Sequence, residues 1–176
     1  MVARGPDDRP DLTVMAPLTL KALRRLRGAR PPQMATDLQM SLRAYEHFEN
    51  GKGRLNVDRI HAFAGLLNAD PFAILAAFDI GSPDFALRCA NNKLMMIFMS
   101  ALQEFDAEAQ DTIVGLDPLT LLESFTAFFS GLTAKAREQE AVISQWRREK
   151  ALGEAEDPPQ APEGSAKAGE TDPDGD

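Results

Sequence analysis

The chain has 176 residues, 44% of them hydrophobic and 26% charged, which is typical of a globular protein of one or two small domains. The longest apolar run, LMMIFM, is far shorter than the roughly 20 residues of a membrane helix, and the first ten residues contain no apolar signal-peptide region. The single cysteine, Cys89, excludes an internal disulfide, so we expect a protein of the reducing cytoplasm.

The net charge of −8 is distributed unevenly along the chain. Residues 151–176 carry one Lys/Arg and eight Asp/Glu, whereas residues 19–60 carry nine Lys/Arg and four Asp/Glu. The local charges are therefore −7 and +5, and the overall acidity does not exclude an anionic partner for the basic segment. Because residues 151–176 are also rich in Pro, Gly and Ala and lack aromatic residues, we predict a disordered acidic tail.

The first 17 residues are polar and interrupted by three prolines, so we expect a flexible arm. The segment LKALRRLRG follows, and its leucines recur every three residues, which places them on one helix face. Thr19 is the predicted N-cap of this helix and Gly28 ends it. The prolines at 31–32 predict the first turn of a second helix, over residues 32–38.

A third helix is predicted over residues 41–50, with Ser41 as its N-cap and with Ala44, Tyr45 and Phe48 facing inward. The apolar spacing of NVDRIHAFAGLLN predicts a fourth helix, and the Asp-Pro pair before FAILAAF predicts the start of a fifth. No segment of five or more residues alternates convincingly between apolar and polar. The sequence therefore predicts five short helices and no strands in residues 18–80.

A second helical region is predicted over residues 81–150. The Ser-Pro pair at 82–83 is expected to begin a helix that runs to about Phe105, and a short helical piece follows over 107–114. The methionines of LMMIFM are expected to lie in the core of this region, although a ligand pocket or an adaptable protein-binding groove is an alternative.

The Asp-Pro pair at 117–118 predicts the start of a long helix that ends near Lys150. Its apolar residues recur at alternating steps of three and four, which is the spacing of a heptad seam. The seam positions are Leu122, Phe125, Phe129, Leu132, Ala136, Gln139, Ile143 and Trp146. This seam could fold back on the preceding helix or pair with a second chain, and we expect both, because a lone hairpin cannot bury its aromatic side chains well. Residues 81–150 are thus predicted to be a helical-hairpin or coiled-coil-like oligomerisation region.

The predicted helices 19–27, 32–38 and 41–50 have the layout of a helix-turn-helix. The most specific part is YEHFENGK followed by LNVDRIHAFAGLLNADPFAIL. On these residues, about 20–78 of the chain resemble the XRE-type DNA-binding domain, the family of the lambdoid phage repressors and Cro proteins. The resemblance implies an all-α, five-helix, repressor-like domain over residues 18–80, with double-stranded DNA as its partner.

The resemblance also implies roles for individual residues. Leu42, Arg43 and His47 fall on the base-reading positions, where an arginine can donate two hydrogen bonds to a guanine and a leucine can touch a thymine methyl group. Arg24 and Glu49 match an ion pair that joins the first helix to the third. The residues expected to contact the DNA backbone are Gln33, Ser41, Asn50, Lys52 and Arg54.

The sequence differs from the family pattern at several positions. The two prolines at 31–32 occupy the start of the second helix, and Gln39 replaces the glycine of the following turn. Asn68 stands where the turn after the fourth helix has glycine, and asparagine tolerates left-handed backbone better than most residues.

The implied function is transcriptional regulation by a dimer or higher oligomer, with repression through promoter occupancy as the favoured output at the nucleoid of a bacterial or phage-like host. Two alternatives stay open: an antitoxin or adaptor whose helical region binds a protein, and an activator that contacts RNA polymerase. The sequence contains no nucleophile–base pair, metal-ligand spacing or phosphate loop, so we expect no enzyme, no metal site and no cofactor.

Overall fold

The computed structural model describes residues 10–155, with side chains to residue 151. These residues form eight α-helices and one 3-10 helix and contain no strand, which confirms the all-α prediction. The helices are α1 (Leu12–Leu26), α2 (Pro31–Asp37), α3 (Leu42–Glu49), α4 (Val57–Leu66), α5 (Pro71–Ile80), α6 (Pro83–Cys89), α7 (Leu94–Ala109) and α8 (Pro118–Ala155), and the 3-10 helix is Gln110–Gly115. The chain divides into two compact units, one ending at Val114 and the other beginning at Gly115.

Helix α1 begins at Leu12, well before the predicted start. Asp11 is its N-cap, and its carboxylate accepts a hydrogen bond from the Thr13 N–H at 2.8 Å. The prediction that residues 12–17 belong to a flexible arm is therefore wrong, and so is the cap at Thr19, which is buried inside the helix. Residues 1–9 of the predicted arm lie outside the described residues.

The early start of α1 has a physical cause in its capping and burial. Pro17 lies inside the helix, where proline lacks the N–H of the helical hydrogen bond and is destabilising. The Asp11 cap and the burial of Met15 and Ala16 offset this cost. The first turns of α1 are thus held by tertiary packing that proline spacing alone does not reveal.

The N-caps of α3, α4 and α5 are all side chains that accept the backbone N–H three residues later. Ser41 accepts from Ala44 at 3.2 Å, and Asn56 accepts from Arg59 at 2.8 Å. Asp70 accepts in the same way at the start of α5. These caps satisfy N–H groups that have no partner within their helices, so they fix where each helix begins.

The first unit encloses a single hydrophobic core. Leu20 and Leu23 of α1 meet Tyr45 of α3, Phe63 of α4 and Ile74 of α5, and each of these side chains is almost completely buried. Burial of a large apolar side chain contributes roughly 1.5–3 kcal/mol. The core therefore fixes α3 against the neighbouring helices of the first unit.

The turn between α4 and α5 is closed by Asn68, whose φ of 46° is left-handed. The Arg27 guanidinium donates to the Leu67 carbonyl at 2.9 Å and to the Asn68 carbonyl at 3.3 Å. Lys93 also donates to the Asn68 carbonyl. The turn is thus held by two side chains, those of Arg27 after α1 and Lys93 before α7.

The predicted continuous helix from 83 to about 105 is wrong, because α6 ends at Cys89 and α7 begins at Leu94. The second oxygen of Asp70 accepts hydrogen bonds from the Met95 and Met96 N–H groups at 2.8 and 3.1 Å. One buried carboxylate therefore caps both α5 and α7, and this requires the chain to turn before α7 starts.

The methionines of α7 do not form the core that the sequence predicts. Met96 is exposed and Met95 and Met99 are only half-buried, and α7 has no buried residue. Helix α7 packs against α5 within the first unit, and its apolar side chains are only partly covered.

Helix α8 starts where the sequence predicts. Asp117 accepts hydrogen bonds from the Leu119 and Thr120 N–H groups at 3.0 Å each, and the Thr120 hydrogen bonds lower the pKa of its carboxyl. The helix continues beyond the predicted end at Lys150, to Ala155. The remainder of the predicted acidic tail lies outside the described residues. Within residues 10–155, no helix is long and apolar enough to span a membrane.

Candidate nucleic-acid interface

Helix α3 is held from behind by a buried polar cluster. Arg24 of α1 and Glu49 of α3 form a two-pronged ion pair, with Nε–Oε1 and Nη2–Oε2 distances of 2.6 and 3.3 Å. The Tyr45 hydroxyl donates to Glu49 at 3.0 Å, and Arg24 also donates to the Ala29 carbonyl at 3.1 Å. Every strong hydrogen-bonding group of the cluster is thus paired. This pairing matters because a buried polar or charged group without a partner is destabilising.

The cluster perturbs the proton affinities of its members. The hydrogen bond to Glu49 raises the pKa of Arg24, so the guanidinium stays charged. Burial and then the negative charge of Glu49 raise the pKa of Tyr45 well above its usual value of 10.0. Both effects favour the protonation states that form the hydrogen bonds, and the orientation of α3 is therefore fixed at neutral pH.

The turn before α3 determines how its first residues are presented. Gln39 has a left-handed φ of 54°, at the position where the family pattern has glycine. Ser41 follows as the N-cap and is exposed, so its hydroxyl and the first N–H groups of α3 lie at the surface. The N–H groups at a helix N-terminus of this kind can donate hydrogen bonds to an anionic phosphate oxygen.

The outward face of α3 carries the predicted base-reading residues. Leu42, Arg43 and His47 are all exposed, and Leu42 has 43% of its surface accessible although it is apolar. Glu46 lies one turn after Leu42 and is exposed too. The prediction that Ala44 faces inward is wrong, because it is exposed and lines a surface cleft.

Asn50 follows α3 and is less available than predicted. Its side-chain oxygen accepts a hydrogen bond from the Lys21 ammonium at 2.7 Å, and its amide nitrogen donates to the Glu46 carbonyl at 2.6 Å. Asn50 therefore positions Lys21 of α1 beside the end of α3. Lys21 is not among the site residues predicted from the sequence, where only its place within the basic segment indicates it.

Lys52 and Arg54 lie in the loop after α3, and both are exposed. The loop turns at Gly51, where φ is +65° and a Cβ would collide with the backbone carbonyl of Leu12. Because this close contact with α1 admits only glycine, it sets the direction in which the loop and its two cations leave α3.

A cleft of about 240 Å³ lies beside the end of α3. Its apolar side includes Leu20 and Phe48, and its rim carries His47, Lys52 and Arg59. The Arg59 guanidinium lies 5.9 Å from the centroid of the Phe48 ring, within the range of a cation–π interaction. Arg59 is a further cation of this surface and is not among the residues predicted from the sequence.

Gln33 lies in the first turn of α2, behind Pro31, and it is exposed. Its amide donates a hydrogen bond to the Asp37 carboxylate at 2.8 Å. The side chain is thus on the surface but directed along its own helix.

The predicted oligomerisation residues all lie on α8, in the second unit. Leu132 is half-buried and the other five are exposed within one copy of the chain. These five are Leu122, Phe125, Phe129, Ile143 and Trp146. The Phe129 ring lies edge-on to the Phe128 ring, with 5.1 Å between centroids.

A family of known proteins matches part of the first unit. The family model described as "Helix-turn-helix domain" matches residues 18–73, which cover α2 to α4, most of α1 and the start of α5. The crystal structure of the clp gene regulator ClgR from Corynebacterium glutamicum aligns with 53% of this chain and 96% of that one, at 18% sequence identity and a TM-score of 0.37. A search of curated protein sequences found no significant match.

Proposed function

We propose that this chain, whose residues 18–73 form a helix-turn-helix domain, is a transcriptional repressor that binds double-stranded DNA as a dimer. The observation that carries the proposal is the contrast between the two sides of α3. Its rear is fixed by the buried Arg24–Glu49 pair, while its front presents Arg43 and His47 to solvent. A rigid helix with polar, outward side chains is what readout in the major groove needs.

In this docking, the front of α3 reads base edges. Arg43 donates two hydrogen bonds to a guanine, and His47, one turn later, contacts the next bases. Leu42 has no hydrogen-bonding group, so it contacts the one apolar feature of the major groove, the thymine methyl group. The exposed Leu42 side chain supports this role, because an apolar side chain on a recognition face gains free energy when a methyl group covers it.

Backbone contacts flank the reading helix. Lys52 and Arg54 approach phosphates on one side, while Gln33, the Ser41 hydroxyl and the first N–H groups of α3 approach them on the other. Lys21, held by Asn50, adds a cation that we assign to the same backbone. Each neutralised phosphate releases counterions, so these residues supply affinity that falls as salt rises.

The proposed dimer forms through the apolar seam of α8. Two linked recognition helices then bind half-sites one helical turn apart, about 34–36 Å, in a pseudo-palindromic operator. Repression follows from occupancy of a promoter, at the nucleoid in the cytoplasm.

Genome-wide mapping of bound sites in the native host tests the proposal, followed by a promoter assay with and without the protein. We expect a shared two-fold symmetric sequence, two chains per site by light scattering, and lower transcription when the protein is present. Binding without sequence preference would contradict the proposal. Higher transcription in the presence of the protein would contradict the proposed repression and indicate an activator.

A further inference from the structure

The seam of α8 is a regular heptad pattern, with a positions at Leu122, Phe129, Ala136 and Ile143 and d positions at Phe125, Leu132, Gln139 and Trp146. Within one copy of the chain, large seam residues keep much of their surface accessible: 55% for Leu122, 44% for Ile143 and 58% for Trp146. Exposure on this scale along one stripe indicates a surface that another helix covers.

The charges that flank the seam fit a parallel partner helix. In a parallel, in-register pair, each g residue faces the e residue of the next heptad on the partner helix. Lys135 then faces Glu140 of the partner subunit, and the symmetry repeats this attraction. The g residue of the next heptad, Val142, faces the partner's Arg147, whose stem can cover it. No like charges meet over the seam itself, from Leu122 to Trp146; the next a residue, Lys150, lies beyond the seam and would face the partner's Lys150.

Gln139 provides an independent criterion. In a parallel pair it faces the partner's Gln139, and two amides can satisfy each other's donors and acceptors. In any antiparallel register a d residue faces an a residue instead, so Gln139 lies opposite an apolar side chain or Lys150 of the partner subunit. A buried amide without a matching partner costs free energy, so the one polar layer of the seam favours the parallel register.

We propose that α8 pairs with α8 of a second copy as a parallel, in-register, two-stranded coiled coil whose register is set by Gln139 and by Lys135 with Glu140 of the partner subunit. This inference rests on the dimer of the proposed function and assigns its geometry. Both helix-turn-helix domains precede the coil in sequence and so join it at the same end. Two recognition helices are then available to one face of a DNA duplex.

Spin-label distances in the full-length chain test the orientation. Single cysteines at Glu123→Cys or Arg148→Cys, each in a Cys89→Ala background, place one label near either end of the coil. In the parallel pair both label-to-label distances are set by the width of two helices, at most about 30 Å. In any antiparallel pair at least one of them is about 37 Å or more, because the sites are 25 residues apart and each residue rises about 1.5 Å. One long distance overturns the proposal.

Charge reversal tests the register. Lys135→Glu places two carboxylates against each other and should weaken the dimer about tenfold in analytical ultracentrifugation. The double variant Lys135→Glu with Glu140→Lys should restore it. Arg137→Glu makes the same charge change at a b position of the same helix, outside the seam, and should leave the dimer unchanged. Equal weakening by Lys135→Glu and Arg137→Glu, without rescue, overturns the assigned register.

These measurements also separate the coil from the proposed function. A chain that is monomeric or trimeric in ultracentrifugation, yet binds a symmetric DNA site, overturns the two-stranded coil and leaves DNA binding intact. A parallel dimer that shows no sequence preference in a DNA selection keeps the coil and removes the proposed function.

Discussion

Arg24 and Glu49 meet in a buried, two-pronged ion pair, with 2.6 Å between Nε and Oε1, that joins α1 to the rear of α3. Removing one partner of such a pair leaves the other buried without compensation. We expect Arg24→Ala to lower the free energy of unfolding by about 3 kcal/mol, as measured by urea denaturation. Arg25→Ala removes an exposed neighbour on the same helix and should change it by less than about 0.5 kcal/mol. Similar effects for the two variants would contradict a structural role for the pair.

Gly51 and Gly28 share a left-handed φ of +65° but differ in what surrounds them. A Cβ at Gly28 meets nothing within 4 Å, so Gly28→Ala should cost only the backbone strain, about 1–2 kcal/mol. A Cβ at Gly51 collides with the Leu12 carbonyl, so Gly51→Ala must also displace the start of α1. We expect Gly51→Ala to be the more destabilising by at least about 1 kcal/mol in thermal or urea unfolding. Equal costs would show that the close contact at Leu12 is not formed.

The start of α1 and the break before α7 show why local patterns were insufficient in two places. Ser41 and Asp70 could be predicted as N-caps because a cap depends on residues only three positions apart. The break before α7 depends on the Asp70 carboxylate reaching the N–H groups of Met95 and Met96, about 25 residues later in the chain. The first turns of α1 likewise depend on packing against Gly51. Contacts over such separations are absent from any local pattern.

The residues of the candidate interface also fall into two groups: those that local sequence patterns predict and those that only tertiary contacts place there. The exposed positions Arg43 and His47 follow from helix periodicity once α3 is placed. Lys21 joins the surface only because Asn50 holds it, and Arg59 only because it stacks over Phe48. Only the structure therefore identifies residues that tertiary hydrogen bonds or ring contacts bring to the interface.

Tyr45 is the only tyrosine of the chain, so its ionisation can be followed by ultraviolet absorbance without interference from another phenol. Burial and the Glu49 charge raise its pKa in the folded state above the unfolded value near 10. A raised folded pKa means that this contribution to stability is complete below pH 10 and is lost as the pH rises above it. We expect tyrosinate to appear at a clearly higher pH in the native chain than in urea. Coincident transitions would mean that the phenol is not held by Glu49.

Tyr45→Phe offers a matched test of the same hydrogen bond at neutral pH. The ring remains, but the Glu49 oxygen loses the donor that lies at 3.0 Å. We expect a cost of about 1–2 kcal/mol in urea unfolding, and loss of the alkaline contribution described for Tyr45. A variant as stable as the original chain would show that the hydroxyl contributes nothing to the cluster.

The proposed docking predicts different consequences for a base-reading and a backbone-contacting cation. Arg43→Ala should cost about 1–3 kcal/mol on a selected operator and relax specificity at one base pair, because Arg43 is assigned to a guanine edge. Lys52→Ala should weaken binding to operator and to unrelated DNA alike and reduce the slope of log K against log salt by about 1, because it removes one phosphate contact.

Fluorescence anisotropy at several salt concentrations measures both effects. Arg88→Ala is the control, since Arg88 is an exposed arginine of α6 that pairs only loosely with Asp84, at 3.6 Å. If Arg43→Ala and Lys52→Ala bind like Arg88→Ala, α3 does not enter the groove in this orientation.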